Sequence, residues 1–252
     1  KDVVSHNIND YMPFLSFLEI NYKIPLIKEV TDWFFKSDFL NCSNPFQENH
    51  AIIPEDRPDI KKQMFEMMNE MGINISDARI VKDQMGRPLD IFMLHKLENG
   101  SVVEIPITDE SAGTKKILSI LQRMIKGLER GELLVIDELD AKLHPKLLRY
   151  IIGLFTNPDI NKKGAQLVFT SHDMTTMNSD VFRRDEIWFC ALNKENASHI
   201  YSLVSFRKQN GSAVRKDEAY GKQYLEGRYG ADPYLKRMLD WTKDDKKTSE
   251  KK

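Results

Sequence analysis

The sequence predicts an α/β fold: a mainly parallel sheet flanked by helices, accompanied by a helical and β-hairpin subdomain. Three observations carry that expectation. Apolar positions recur at three- and four-residue steps early in the chain, an Asn-Gly turn separates two apolar runs near residue 100, and strand-sized apolar runs then alternate with amphipathic helices.

Taken in order, Tyr11, Leu15 and Leu18, then Ile27, Val30, Trp33 and Phe34, predict two helices divided by Pro25. A loop rich in Asn and Pro runs from Cys42 to Pro54. The next helix places Ile60, Met64, Met67 and Met71 on one face, and Gly72 is its stop. Methionine fills irregular gaps, so this stripe reads as a core face before it reads as a partner groove.

From Asp90 the period changes. Ile91 to Leu94 and Val102 to Ile105 flank Glu98-Asn99-Gly100-Ser101, a strong hairpin signal. Thr114 to Leu128 then predicts one long amphipathic helix, with Ile117, Ile120, Leu121, Met124 and Leu128 apolar and Gly131 just past its end. Beyond it the pattern gives strand Leu133 to Asp137, helix Lys146 to Phe155, strand Gln166 to Thr170, a short helix near Met174 to Met177, and strands Glu186 to Leu192 and His199 to Val204. The strands read as apolar on both faces. The expected organisation is a helical subdomain over 1–89, a core over 90–242 and a solvated tail over 243–252, where ten residues include no apolar side chain.

Composition narrows the function classes. With 252 residues, 41% of them hydrophobic, the chain can bury a sizeable core. Its apolar runs are far shorter than the roughly 20 residues of a membrane helix, and no signal peptide is evident, so a cytoplasmic protein is expected. Cys42 and Cys190 match no ligand spacing. Lysine and arginine number 37 against 38 acids, which argues against a broad nucleic-acid footprint and leaves a local patch open.

The chemistry-bearing residues fall between Glu110 and Asp173. A fully apolar strand ending in Asp137-Glu138 sets two carboxylates at the carboxyl edge of a parallel sheet, where α/β proteins bind ligands. In a nucleotide site Asp137 would hold Mg²⁺ through its water shell, and Glu138 would orient or deprotonate the water attacking the γ-phosphate. Ser171-His172 ends the next strand, beside the first, so that His172 would reach both Glu138 and the γ-phosphate. Glu110-Ser111-Ala112-Gly113-Thr114 opens the long helix, whose amino end carries about half a positive charge. Gly113 leaves room for a phosphate and Ser111 can donate to it; the plainer alternative is that Ser111 or Thr114 caps the helix. A phosphate-wrapping Gly-x-x-x-x-Gly-Lys-[Ser/Thr] loop is missing: of 12 glycines only Gly221 precedes a lysine, and Gln223 stands where the hydroxyl belongs. Because position 1 is Lys, the chain reads as a C-terminal portion.

These motifs resemble the second half of an ABC-type head of the P-loop NTPase class. They look like the bacterial ABC-type proteins labelled "AAA family ATPase" or "ATP-binding protein", kin to overcoming-lysogenization-defect and structural-maintenance-of-chromosomes heads and common in anti-phage and abortive-infection loci. The likeness spans Tyr11 to about Leu235. It implies that Ser111-Ala112-Gly113-Thr114 is the signature motif, Leu133 to Glu138 Walker B, Asp140 to Pro145 the D-loop and His172 the switch histidine. Asp140 and His144 depart from the Ser/Thr and Asp of transporter D-loops, and His144-Pro145 also suits a helix start. Tyr224 to Pro233 looks typical of the subfamily and reads as a tight turn, with Arg228 contacting a partner as the alternative.

What the resemblance implies is ATP hydrolysis with Mg²⁺ at a dimer interface. Glu138 and His172 would be catalytic, Asp137 the metal ligand, and Ser111, Gly113, Thr114 and Asp140 nucleotide-binding. The implied partners are a second copy arranged head to tail or a higher oligomer, the missing N-terminal Walker A half, and an effector or toxin protein. Two rival expectations are a non-catalytic assembly module of a split ATPase and a metal-dependent nuclease. Against the latter, Asp137 and Asp140 are spaced Asp-x-x-Asp rather than Asp-x-Asp.

Overall fold

The computed structural model describes residues 13–42, 53–193, 195, 197–208, 211–215 and 218–231. Tyr11, most of the Cys42 to Pro54 loop, Asp232-Pro233 and the tail expected over 243–252 lie outside the described residues. Residues 1–173 and 174–252 form two compact units.

In the first unit, α1 (Phe14–Tyr22) and α2 (Pro25–Lys36) meet at Lys23, whose φ of 47° turns the chain, and Pro25 opens the second helix as expected. α3 (Pro58–Glu70) also begins on proline and is followed by Gly72 at φ 79°. Ile60, Met64, Phe65, Met67 and Met68 are buried, so the methionine stripe is core. Strands β2 (Ile75–Lys82), β3 (Pro88–Lys96) and β4 (Val102–Pro106) form an antiparallel sheet. Gly100 supplies the positive φ at the tip of the expected hairpin, which is closed by the Leu97 N–H donating to Ser101 O at 2.9 Å. β2 precedes the boundary expected at residue 89 and pairs with β3 across it.

A three-stranded parallel sheet carries the chemistry-bearing segment, in the order β1 (Asp38–Asn41), β5 (Leu133–Asp137), β6 (Gln166–Phe169). In sequence α4 (Ala112–Arg130) precedes β5, and α5 (Pro145–Thr156) connects β5 to β6. α4 packs along β5 and α5 along β6. The long helix stops at Gly131, left-handed at φ 73°, where a Cβ would fall 2.4 Å from the Lys163 carbonyl oxygen. Register pairs Leu40 with Ile136 and Ile136 with Phe169, and pairs Phe39 with Val135 and Val135 with Val168. The pleat therefore puts these two rows on opposite faces. Leu40, Leu134 and Ile136 are buried, whereas Phe39 and Val168 are 57% and 55% exposed, so both faces are apolar as expected and one of them is buried.

The second unit holds β7 (Trp188–Leu192), β8 (Ser198–Ser202) and α6 (Tyr220–Leu225). β7 and β8 pair antiparallel as a separate sheet and do not extend the parallel one. Phe189, Leu203, Val214, Tyr220 and Tyr229 are the centre of its core. The helix expected near Met174 to Met177 is absent. Its carbonyls serve a different contact: the Gly221 N–H donates to Met177 O at 3.0 Å, and a Cβ on Gly221 would meet Met174 O at 2.5 Å. No helix among the described residues is long and apolar enough to cross a membrane.

Candidate functional site

Parallel pairing of β5 and β6 brings Asp137 and Thr170 to one carboxyl edge. The Thr170 hydroxyl donates to Asp137 Oδ1 at 2.6 Å and accepts the Glu138 N–H at 2.8 Å. One side chain thus orients the first acid and fixes the backbone of the second. Across the same edge the Leu139 N–H donates to Thr170 O at 3.1 Å. Asp137 is exposed and Glu138 half-buried, which leaves both carboxylates accessible to a ligand.

The turn after β5 is strained. Glu138 and Lys142 take left-handed backbone at φ 53° and 63°, a conformation that costs of the order of 1–3 kcal/mol for a residue with a side chain. Such strain persists where surrounding bonds over-determine it. Here the Glu138 carbonyl accepts from Lys116 Nζ at 2.7 Å and from the Ala141 N–H at 3.1 Å. Lys116 Nζ also donates to Ala141 O at 2.7 Å, and its residue is only 1% exposed.

Asp140 holds the neighbouring segment. Its Oδ2 accepts the His172 N–H at 3.1 Å, and its buried Oδ1 has no hydrogen-bond partner among the described residues. His172 is exposed at the strand edge, and Ser171 Oγ accepts the Asp173 N–H at 3.0 Å. His144 caps α5, its Nδ1 accepting the Lys146 N–H at 3.2 Å beside Pro145 in the first turn.

At the amino end of α4, Ser111 is the N-cap: its Oγ accepts the Thr114 N–H at 3.0 Å and lies 2.9 Å from Thr114 Oγ1. The capping alternative is what the geometry contains, and Ser111 remains exposed while Thr114 is buried. A Cβ on Gly113 would sit 3.0 Å from Lys142 O, so this glycine serves close approach of the chain's own turn. Glu110 is tied back to β3 through His95, with Nε2 and Oε1 2.5 Å apart.

Of the expected site residues, Asp137, Glu138, Asp140 and His172 are linked to one another by this hydrogen-bonded edge. Of the helix-start residues, Gly113 lies close to Lys142 O of that turn, while Ser111 and Thr114 bond to each other and Lys116 of the same helix bonds to the Glu138 carbonyl. Thr170 and Lys116 were not among the expected residues. Among the described residues no group of three or more His, Cys, Asp or Glu side chains could hold a metal. A Mg²⁺ ion keeps several waters and takes phosphate oxygens with one or two carboxylates, so the exposed Asp137 fits such a shared site.

A family model described as "AAA domain, putative AbiEii toxin, Type IV TA system" matches residues 16–178, well over half of the chain. The match includes the whole edge just described. No curated protein matches the sequence.

Proposed function

The chain belongs to this AAA-domain family of P-loop ATPase domains, and from that premise we propose that it is the Walker B and signature half of an ABC-type ATPase. Membership implies nucleotide binding. The observation that carries the finer reading is the Asp137–Thr170–Glu138 bridge at the carboxyl edge of adjacent parallel strands.

In this reading Glu138 orients and deprotonates the water that attacks the γ-phosphate, and His172 contacts that phosphate from the next strand. Thr170 holds the two acids in register, and Asp140 fixes the backbone of His172. Asp137 would hold Mg²⁺, which when bound neutralises phosphate charge and orients the triphosphate. Ser111, Gly113 and Thr114 present the amino end of α4 to the nucleotide of a second copy in a head-to-tail dimer. The phosphate-wrapping loop comes from a Walker A half, and the uncovered sheet face around Phe39 and Val168 supports such a completing partner. In this reading hydrolysis switches an effector or toxin protein in an anti-phage setting; the family description, "putative AbiEii toxin, Type IV TA system", supports the toxin context.

A second reading, docking without hydrolysis, draws on the apolar side chains exposed along α1 and α2, where Leu26 is 66% and Phe35 80% exposed. Turnover separates the two. Joined to its P-loop half, the protein hydrolyses ATP, and Glu138→Gln slows it by about 10²- to 10⁴-fold while ATP binding persists. Wild-type turnover in that variant would remove Glu138 from the chemistry, whereas a completed wild-type protein that does not hydrolyse ATP would favour docking. Calorimetry on this chain alone should detect no micromolar ATP site, because the main phosphate cradle is elsewhere.

A further inference from the structure

A lysine is among the residue types least often fully buried, because an ammonium taken out of water loses several kcal/mol of hydration unless it is repaid by close partners. Lys116 is such a lysine, surrounded along α4 by Ile117, Leu118, Ile120 and Leu121, all with at most 1% exposure. Replacing a buried charge by an apolar side chain of similar volume is often neutral or stabilising, so stability alone does not account for it. Its position does. The ammonium closes on the carbonyls of Glu138 and Ala141, the two ends of the strained turn.

Glu138 is thereby held from both sides, its N–H by Thr170 just past β6 and its C=O by Lys116 of α4. One turn earlier on the same helix, a Cβ on Gly113 would sit 3.0 Å from Lys142 O on the far side of the strained turn. Because Ser111, Gly113 and Lys116 lie on one continuous helical segment, a shift of its capped end would carry both contacts with it.

We propose that Lys116 is a positioning residue for Glu138, a strut through which the Ser111 end of α4 sets the placement of the catalytic carboxylate. The proposal rests on the ATPase reading given above. It adds a regulatory link: the helix end that meets one nucleotide also controls the base that acts on another.

The test compares Lys116→Met, Lys116→Arg and Lys116→Gln in the P-loop-completed protein. Lys116→Met should lower kcat by about 10- to 100-fold with KM changed less than about threefold, since a positioned base is worth about 10²–10⁴-fold. Arg, which keeps charge and donors, should restore part of that loss. Added to Glu138→Gln, Lys116→Met should slow turnover no further, because no base remains to be positioned. Hydrogen exchange of the 137–143 segment should rise in Lys116→Met while β6 stays protected. Should circular dichroism show Lys116→Met unfolded, Lys116→Gln is measured in the same way and decides. A kcat near wild type for the Met or Gln variant, where Glu138→Gln is impaired, would overturn the strut and leave the ATPase reading standing. Full additivity with Glu138→Gln, or unchanged exchange over 137–143, would overturn it equally. Unimpaired Glu138→Gln would instead remove Glu138 as the base, and the strut with it, whereas loss of ATP hydrolysis in the completed wild-type protein would strike down the ATPase reading.

Discussion

Two carboxylate clusters in this protein are built on opposite plans. At the edge of the parallel sheet, Asp137 is exposed, Glu138 half-buried, and the turn carrying Glu138 is strained. In the second unit, Glu218 is closed in: Oε1 accepts from Lys208 Nζ at 2.6 Å and from the Arg215 N–H at 2.7 Å, and its side chain is 10% exposed. Burial opposes its charged form, but the Lys208 ammonium and the backbone N–H outweigh that and hold the carboxyl at about 2. The first cluster sets its acids on a strained turn at the sheet edge, with Asp137 exposed. The second uses its acid to bind the fold together. Open acids on a strained turn are what a reaction requires, and a closed ion pair is what a scaffold requires.

Substitutions at the two places should therefore separate turnover from stability. The largest contrast is Glu138→Gln, which loses turnover by the factor given above yet leaves the thermal midpoint within about 2 °C, a change of less than roughly 1 kcal/mol. A midpoint that falls further would make the first cluster a scaffold too. Thr170→Val removes both hydrogen bonds of the bridge and should cut turnover about tenfold, at roughly 0.5–1.5 kcal/mol for each bond. Retention of full rate would show that the acids keep their placement without it.

Glu218→Gln should do the reverse, destabilising the second unit by roughly 1–3 kcal/mol in denaturant melts, because Lys208 loses its counter-charge. Turnover of the folded protein should stay near wild type. The smallest effect is a slope with pH. Since the folded carboxyl titrates below its ordinary value, the unfolded chain binds the extra proton first as pH falls. The stabilisation is complete above about 4.5 and is lost as pH drops towards about 2. Melts between pH 5 and 2 should show that loss in the wild type and a flatter profile in Glu218→Gln.

The sequence was most legible where local pattern and tertiary packing agree. α4, β5, α5 and β6 lie close to the expected bounds because each has a full apolar face and a cap or glycine at its end. β1 escaped notice because four residues, Asp-Phe-Leu-Asn, have no alternation to read and gain their place only by pairing with β5. In β2 the signal was scrambled by the register shift between Ile75 and Asp77, which changes the side-chain parity within the strand. Of the site, the acids and His172 were visible as strand-end residues. Thr170 was not, since a hydroxyl before Ser-His-Asp looks like any strand terminus. Lys116 had a readable signal that went unused: it lies four residues before Ile120 and so on the buried face.

The left-handed backbone at Glu138 has a consequence for evolution. Glycine or asparagine would relax that position, whereas a glutamate there draws on stability supplied elsewhere. In a library covering every substitution at residue 138, cellular abundance and biological output should rank in opposite orders, with glycine among the most abundant variants and among the least active. Selection for yield alone would erase this residue, so its persistence in a lineage would itself record that the reaction is still in use.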